Sequence, residues 1–256
     1  VRSRGLEMCI RDRCRGCPYS ATLPPLFYDV HPAATGGSFL QACGGKTVSS
    51  AAGNYDFFFK PRSIAVIGAS RQPGKVGYDT LKNLIDDNFE GKIYPVNPSA
   101  PNILGLKAYK GVGVIDDKID LALVIVPAEL VINTFKELID KKVKGAVVIT
   151  AGFREIGGVG VQREKELAEI CRGKIRVIGP NCLGIIDTNS NMNASFAQAM
   201  PFKGEIGFIS QSGALVTAIL DFAVGRGLGF SKFISMGNKM DLDETHFLEI
   251  LGDDDK

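Results

Sequence analysis

The sequence predicts an α/β fold: an open parallel sheet with helices on both faces, followed by the start of a second α/β unit. Three observations predict it. From Tyr55 onward, short apolar runs of strand length alternate with segments of helical period. The run over residues 121–126 is continuously apolar, the pattern of a strand covered on both faces. The alternation then breaks at a polar stretch holding Asn189, Asn191 and Asn193, and restarts at Gly204.

Residues 63–68 form a short apolar run ending in Gly, a buried parallel strand. Residues 78–87 follow as a helix, with Leu81, Leu84 and Ile85 at i, i+3 and i+4. Residues 92–96 make the next strand, and Pro95 in it signals a strand end or a sheet edge. A third strand over 121–126 is apolar throughout. A helix over 128–141, a strand over 145–150, a helix over 162–171 and a strand over 175–178 complete a first domain, residues 55–185. Residues 186–203 read as a polar linker. The second unit, residues 204–256, offers a strand over 205–210, a helix over 214–226, a strand over 229–236 and a helix from 245 to 251. Two strands and two helices bury too little surface to close a core, so this unit reads as truncated.

Composition narrows the function classes. Hydrophobic residues make up 45% of the 256 and charged residues 23%, an ordinary globular mix. A net charge of +2 argues against nucleic acid as a partner, and no apolar run reaches the roughly 18 residues of a spanning helix, which argues against a membrane. Without a signal-peptide pattern, the isolated Cys171 and Cys182 point to reduced thiols and a cytoplasmic setting.

The first 54 residues read as foreign to the rest. They carry +3 against −1 for the remainder, hold Cys9, Cys14, Cys17 and Cys43, and show no sustained period. The cysteine spacing imitates an iron–sulfur pattern, but no strand pattern flanks it. Residues 8–13 match the in-frame translation of a transposon-type sequencing adapter. This segment is therefore expected to be non-native and disordered, and takes no part in the functional reading.

The chemistry-bearing motif is the run from Gly68 to Gly77, between the first strand and its helix. Backbone N–H groups in such a loop face a pyrophosphate, and Gly lets it approach. The spacing is not the G-x-G-x-x-G of a dinucleotide site, and the second strand ends Val96-Asn97-Pro98 with no acid for ribose hydroxyls. Both departures speak against a nicotinamide cofactor. In the second unit, Ser210-Gln211-Ser212-Gly213 puts a helix N-terminus after a strand. Ser212 is its natural cap, and a phosphate its natural ligand.

The loop, Val96-Asn97-Pro98, Ile125-Val126-Pro127-Ala128, Thr150-Ala151-Gly152-Phe153, Gly179-Pro180-Asn181-Cys182-Leu183-Gly184 and Ile209-Ser210-Gln211-Ser212-Gly213-Ala214-Leu215 stand in this order. Together they resemble the alpha chain of the NDP-forming acyl-CoA synthetases, the ADP-forming acetate–CoA ligases in particular, with succinyl-CoA synthetase alpha a more distant relative. The resemblance covers about residues 57–252. It implies a Rossmann-like CoA-binding domain followed by a flavodoxin-like domain. It implies CoA contacts from Gly68, Ser70, Pro73, Gly74, Lys75 and Gly77 around the ADP moiety. Val96 and Asn97 would edge the adenosine, and Val126 and Pro127 the pantetheine. Thr150, Ala151 and Gly152 would sit beside them, with Asn181 and Cys182 near the thiol. Ser210, Gln211, Ser212 and Gly213 would steady a phosphate.

The resemblance further implies CoA and acyl-CoA as ligands, and ATP or ADP with Mg in the complete enzyme. An ATP-grasp beta portion, separate or fused, would complete a hetero- or homo-oligomer. The reaction would run through acyl phosphate and a phosphohistidine. His31 lies in the foreign segment and His246 in an acid-rich helix start, so neither is assigned that role. The phosphohistidine is expected beyond Lys256, and the chain alone is expected not to turn over. Cys182 is read as a core or loop cysteine, not a nucleophile. Two other readings remain at this point: a CoA-binding regulatory part of a protein acetyltransferase, and a nicotinamide-dependent oxidoreductase.

Overall fold

The computed structural model describes residues 55–252. The expectations for residues 1–54, including the iron–sulfur spacing and His31, lie outside the described residues.

After a single helical turn, α1 (Asp56–Phe59), the chain enters β1 (Ser63–Ile67), whose five residues are all buried. A loop leads to α2 (Val76–Asp86), then β2 (Lys92–Val96) and a small hairpin of β3 (Asn102–Ile103) and β4 (Leu106–Lys107). Next come β5 (Leu121–Val124), α3 (Ala128–Asp140), β6 (Gly145–Val148), α4 (Val159–Cys171) and β7 (Arg176–Ile178). The sheet order is β2-β1-β5-β6-β7 and every pairing is parallel. β2, the strand with Pro95, is at the edge as its sequence predicts. Apolar residues fill both faces. Ala65, Ile67, Ala122 and Val124 pack with Val131, Phe135 and Leu167 of α3 and α4. Ile64, Val66, Leu121 and Leu123 pack with Leu81 and Leu84 of α2.

The stretch 186–203 is not a plain linker. It holds the end of β8 (Gly184–Asp187), all of β9 (Met192–Ser195) and the start of β10 (Phe202–Ser210). β8 and β9 form an antiparallel hairpin that joins β10 and β11 (Gly229–Ser235) in a second sheet, order β10-β11-β8-β9. Between β10 and β11 runs α5 (Gly213–Arg226), and α6 (Glu244–Gly252) follows. All four residues of β9 are buried although two are polar. Ser195 Oγ donates to Asn193 Oδ1 at 2.6 Å, and Asn83 of α2 donates to the Ser195 and Ala197 carbonyls. Polar residues that bond within the fold in this way give a buried strand the composition of a solvated linker.

The hairpin also supplies what residues 204–256 lack. Leu183 and Ile186 pack with Val216, Leu220, Phe230 and Phe233 in a core of their own. A further apolar cluster is continuous from β1 and α2 through Ile185 and Met192 to Ile234 and Phe247. Among the described residues no helix is long and apolar enough to cross a membrane.

Candidate functional site

A cleft of about 970 Å³ opens at the carboxyl ends of β1, β5, β6 and β7, where open α/β sheets bind ligands. One wall is the loop after β1. Gly68 has φ +92°, and a Cβ there would stand 2.3 Å from the Ile125 carbonyl oxygen. A Cβ on Gly77 would stand 2.1 Å from the Gly68 carbonyl oxygen. Glycine at these two positions lets the loop pass close to β5 and lets α2 sit down on the loop. Gly74, at φ +78° with open space around it, is glycine for its backbone conformation alone. Ser70 Oγ accepts from the Gln72 amide at 3.0 Å, and Asp79 Oδ1 from the Gly74 amide at 3.3 Å, which holds the loop in shape.

The opposite wall belongs to the second sheet. Ser212 caps α5, its hydroxyl accepting from the Leu215 amide at 3.3 Å. Ser210 Oγ accepts from the Ser212 amide at 3.1 Å, and Gln211 Nε2 donates to Glu244 Oε1 at 2.9 Å. The N-termini of α2 and α5 thus face one cleft. Each leaves first-turn amides without intrahelical acceptors and presents the positive end of its dipole. Two such ends on one space favour a polyanionic ligand.

The floor comes from the strand ends. Thr150 Oγ1 donates to the Val126 carbonyl at 2.7 Å and so binds two neighbouring strand ends together. Asn181 stands at φ +57°, and its amide donates to the Thr150 carbonyl at 3.0 Å. Cys182 Sγ donates to the Val148 carbonyl at 3.3 Å, and burial pushes the thiol up to about 12. It is a protonated thiol at neutral pH, unsuited to attack.

Gly68, Ser70, Lys75, Gly77, Val126, Pro127, Thr150, Ala151, Asn181, Cys182, Gln211, Ser212 and Gly213 all line this cleft. Pro73, Gly74, Gly152 and Ser210 are not among the residues that line it, though the Gly74 amide bonds to Asp79 and Ser210 Oγ accepts from the Ser212 amide. Val96 and Asn97 stand elsewhere. Val96 is buried in the core, and Asn97 donates to the Ala69 carbonyl at 2.7 Å and accepts from the Ser99 amide. Asn97 therefore holds the loop from behind. Phe196 also lines the cleft and carries no signal in the sequence, because it follows the buried polar strand β9. His246 is not a cleft residue; its Nδ1 lies 2.7 Å from Asp243 Oδ1 at the start of α6.

The arrangement suits a ligand with an anionic part for the helix ends and an apolar arm for Val126, Pro127 and Phe196. The volume is within the range of small-molecule sites, roughly 300–1,000 Å³.

Comparison with known proteins gives this cleft its context. Residues 62–188 match the CoA binding domain family, and residues 203–256 match the succinyl-CoA ligase like flavodoxin domain. The chain is 51% identical over 196 residues to the ADP-forming acetate–CoA ligase of Methanocaldococcus jannaschii, covering 76% of this chain and 27% of that one. It is 49% identical over 199 residues to the alpha subunit of ADP-forming acetate–CoA ligase II of Pyrococcus furiosus, covering 77% and 43%. Among solved structures it is similar to the dinucleotide-forming acetyl-coenzyme A synthetase 1 of Candidatus Korarchaeum cryptofilum, in complex with phosphate and ADP. That match has 39% identity and a TM-score of 0.76, and covers 78% of this chain and 43% of the other. The chain spans less than half the length of these relatives. A CoA binding domain over residues 62–188 is thus followed by a succinyl-CoA ligase like flavodoxin domain over residues 203–256, and over about 200 residues the chain is similar to ADP-forming acetate–CoA ligases and to the alpha subunit of one of them.

Proposed function

We propose that the cleft binds CoA, and that the chain is the CoA-binding, alpha-type portion of an ADP-forming acyl-CoA ligase. The full reaction interconverts acyl-CoA, ADP and phosphate with carboxylic acid, CoA and ATP. The observation that carries this reading is the convergence of two helix N-termini and an apolar wall on one cleft at the strand ends. CoA has the matching parts: phosphates for the amides of α2 and its loop, and a pantetheine arm for Val126 and Pro127. The loop of Gly68, Ser70, Pro73, Gly74, Lys75 and Gly77 would take the ADP moiety, with Lys75 offering a countercharge. Val96 and Asn97 would act by shaping this loop, and Gly152 by shaping the floor. Thr150, Ala151, Asn181 and Cys182 would lie toward the thiol.

The capped start of α5 (Ser210, Gln211, Ser212, Gly213) would hold a phosphate group. Its dipole contributes roughly 0.3–2 kcal/mol toward such binding. The phosphoryl-carrying histidine, the ATP-grasp portion with ATP or ADP and Mg, and any oligomeric partner are assigned outside this sequence. The setting proposed is cytoplasmic.

Calorimetric titration of the chain with CoA and, separately, NAD tests the reading. Saturable CoA binding with no NAD binding is expected. Binding of NAD but not CoA would overturn it. No acid to bind ribose hydroxyls stands at the end of β2, and Asn97 there is already engaged with Ala69 and Ser99.

A further inference from the structure

Behind the floor of the cleft three loops meet in a polar junction: residues 152–155 after β6, 180–181 after β7 and 237–239 after β11. At its centre is Asn238, only 7% exposed. Its backbone amide donates to the Pro180 carbonyl at 2.8 Å, and its Oδ1 accepts from Asn181 Nδ2 at 3.4 Å. Its Nδ2 donates to Glu155 Oε2 at 2.7 Å and to Glu164 Oε2 at 2.8 Å. Its carbonyl accepts from the Arg154 guanidinium. Glu155 in turn accepts from the amides of Gly152 and Phe153, the turn that follows the cleft residue Ala151. Gly237, at φ +56°, makes the approach possible, since a Cβ there would lie 2.2 Å from the Pro180 carbonyl oxygen.

The chemistry of the junction singles out a carboxamide. One NH2 group serves two carboxylates while the oxygen of the same side chain serves Asn181, and the side chain adds no charge. Hydrogen bonds to carboxylates are the stronger kind, and Glu164 is buried, where the loss of a donor is costly. Removing the amide leaves Glu155 and Glu164 facing a gap. Replacing it by Asp sets a third carboxylate against them.

We propose that Asn238 is a positioning residue for the CoA cleft: from the second sheet it ties together the two loops that form the floor, without touching the ligand. This inference rests on the cleft being the CoA site. The charged groups facing Asn238 are Glu155, Glu164 and Arg154, whose Nε lies 3.4 Å from Glu164 Oε1. Arg163, donating to the Gly152 carbonyl, and Lys239, paired with Glu244 at 2.7 Å, complete the surroundings. Burial pushes the Glu155 carboxyl up, but the hydrogen bonds from Asn238 and the Gly152 and Phe153 amides outweigh it and hold it below the usual range.

The test is CoA titration of the full chain and of Asn238→Ala, Asn238→Asp and Glu155→Gln between pH 5 and 8, with the ligand-free melting temperature of each. Asn238→Ala is expected to weaken CoA about tenfold. Asn238→Asp is expected to weaken it more at pH 8 and to recover as pH falls. Three neighbouring carboxylates raise each other's pKa, and a protonated one regains a donor for the others. Taking the ratio to the unaltered chain at each pH cancels the titration of CoA itself. Glu155→Gln keeps an acceptor for the two amides but sets NH2 against NH2, and is expected to lose a few-fold while staying folded. A purely structural role would lower the melting temperature without the pH-dependent ratio. Unaltered CoA binding in both Asn238 variants at every pH overturns the inference while the functional reading stands. Failure of the unaltered chain to bind CoA overturns the functional reading and this inference with it.

Discussion

Two strand–turn–helix units open onto the same cleft, and they are built on different principles. After β1 the turn is made with glycine. Gly68 and Gly77 let backbone press on backbone at distances no side chain would allow, and α2 starts at Lys75 with no side-chain cap. After β10 the turn is made with hydroxyls. Ser210 and Ser212 satisfy backbone amides, and Ser212 caps α5. The first unit is pressed together backbone on backbone, with Ser70, Asp79 and Asn97 bracing the loop, leaves its first-turn amides unclaimed by side chains, and sits in a sheet whose central strands are wholly buried. The second is held by hydrogen bonds and follows a strand, β10, that is exposed along much of its length. A turn can be shaped for a ligand by removing side chains or by using them. The two ways should fail differently when altered.

The largest effect is expected of Gly77→Ala. The added methyl meets the Gly68 carbonyl oxygen at 2.1 Å, and neither partner is a flexible side chain. Backbone must shift, as in overpacked cores. The expected loss is about 3 kcal/mol of stability, read by urea denaturation, with CoA affinity falling more than tenfold. An Ala variant as stable as the parent would show that α2 does not rest on the loop.

The hydroxyl-built turn should respond more mildly. Ser212→Ala removes one acceptor from the Leu215 amide and should cost about 1 kcal/mol, while Ser212→Asn or Ser212→Asp, which cap as well, should restore it. Phosphate affinity separates the restoring variants. Asp sets a negative charge where the anion is proposed to bind, so it should recover stability and weaken phosphate. Equal phosphate affinity for Ala, Asn and Asp would remove the anion site from the start of α5.

How much of this was legible before folding depended on where polarity was satisfied. The central strands of the first sheet announce themselves because they are apolar on both faces; Leu121–Val124 needs no other signal. The glycine turn was legible because strand, glycines and helix follow one another within a few residues. The hairpin of β8 and β9 was not. Asn193 and Ser195 bond to each other, and Asn83 donates to the Ser195 and Ala197 carbonyls from a helix over a hundred residues earlier, so a buried strand has the composition of a linker. Phe196 was lost with it. Asn97 is placed beside the adenosine only by the family resemblance, and in the fold its carboxamide bonds to Ala69 and Ser99. Asn238 lies in a turn whose polar residues look solvated, and only the fold brings Glu155, Glu164 and Asn181 to it.

Gly74 sharpens the comparison at its smallest scale, because it stands in the glycine-built turn without packing there. Nothing lies within 4 Å of a Cβ at this position, so the clash expected at Gly77 has no counterpart. What remains is φ +78°, a left-handed conformation that costs most side chains about 1–2 kcal/mol. Against this, replacing Gly lowers the entropy of the unfolded chain by about 0.4–1 kcal/mol. Gly74→Ala should therefore lose no more than about 1 kcal/mol, and Gly74→Asn, which tolerates this conformation, about half of that or less. Because Gly74 stands just outside the cleft lining, CoA affinity in the Asn variant should fall less than threefold. A large loss of affinity with stability intact would mean that the open space beside Gly74 belongs to the ligand. The diphosphate would then wrap around the outside of the loop instead of lying between the two helix ends.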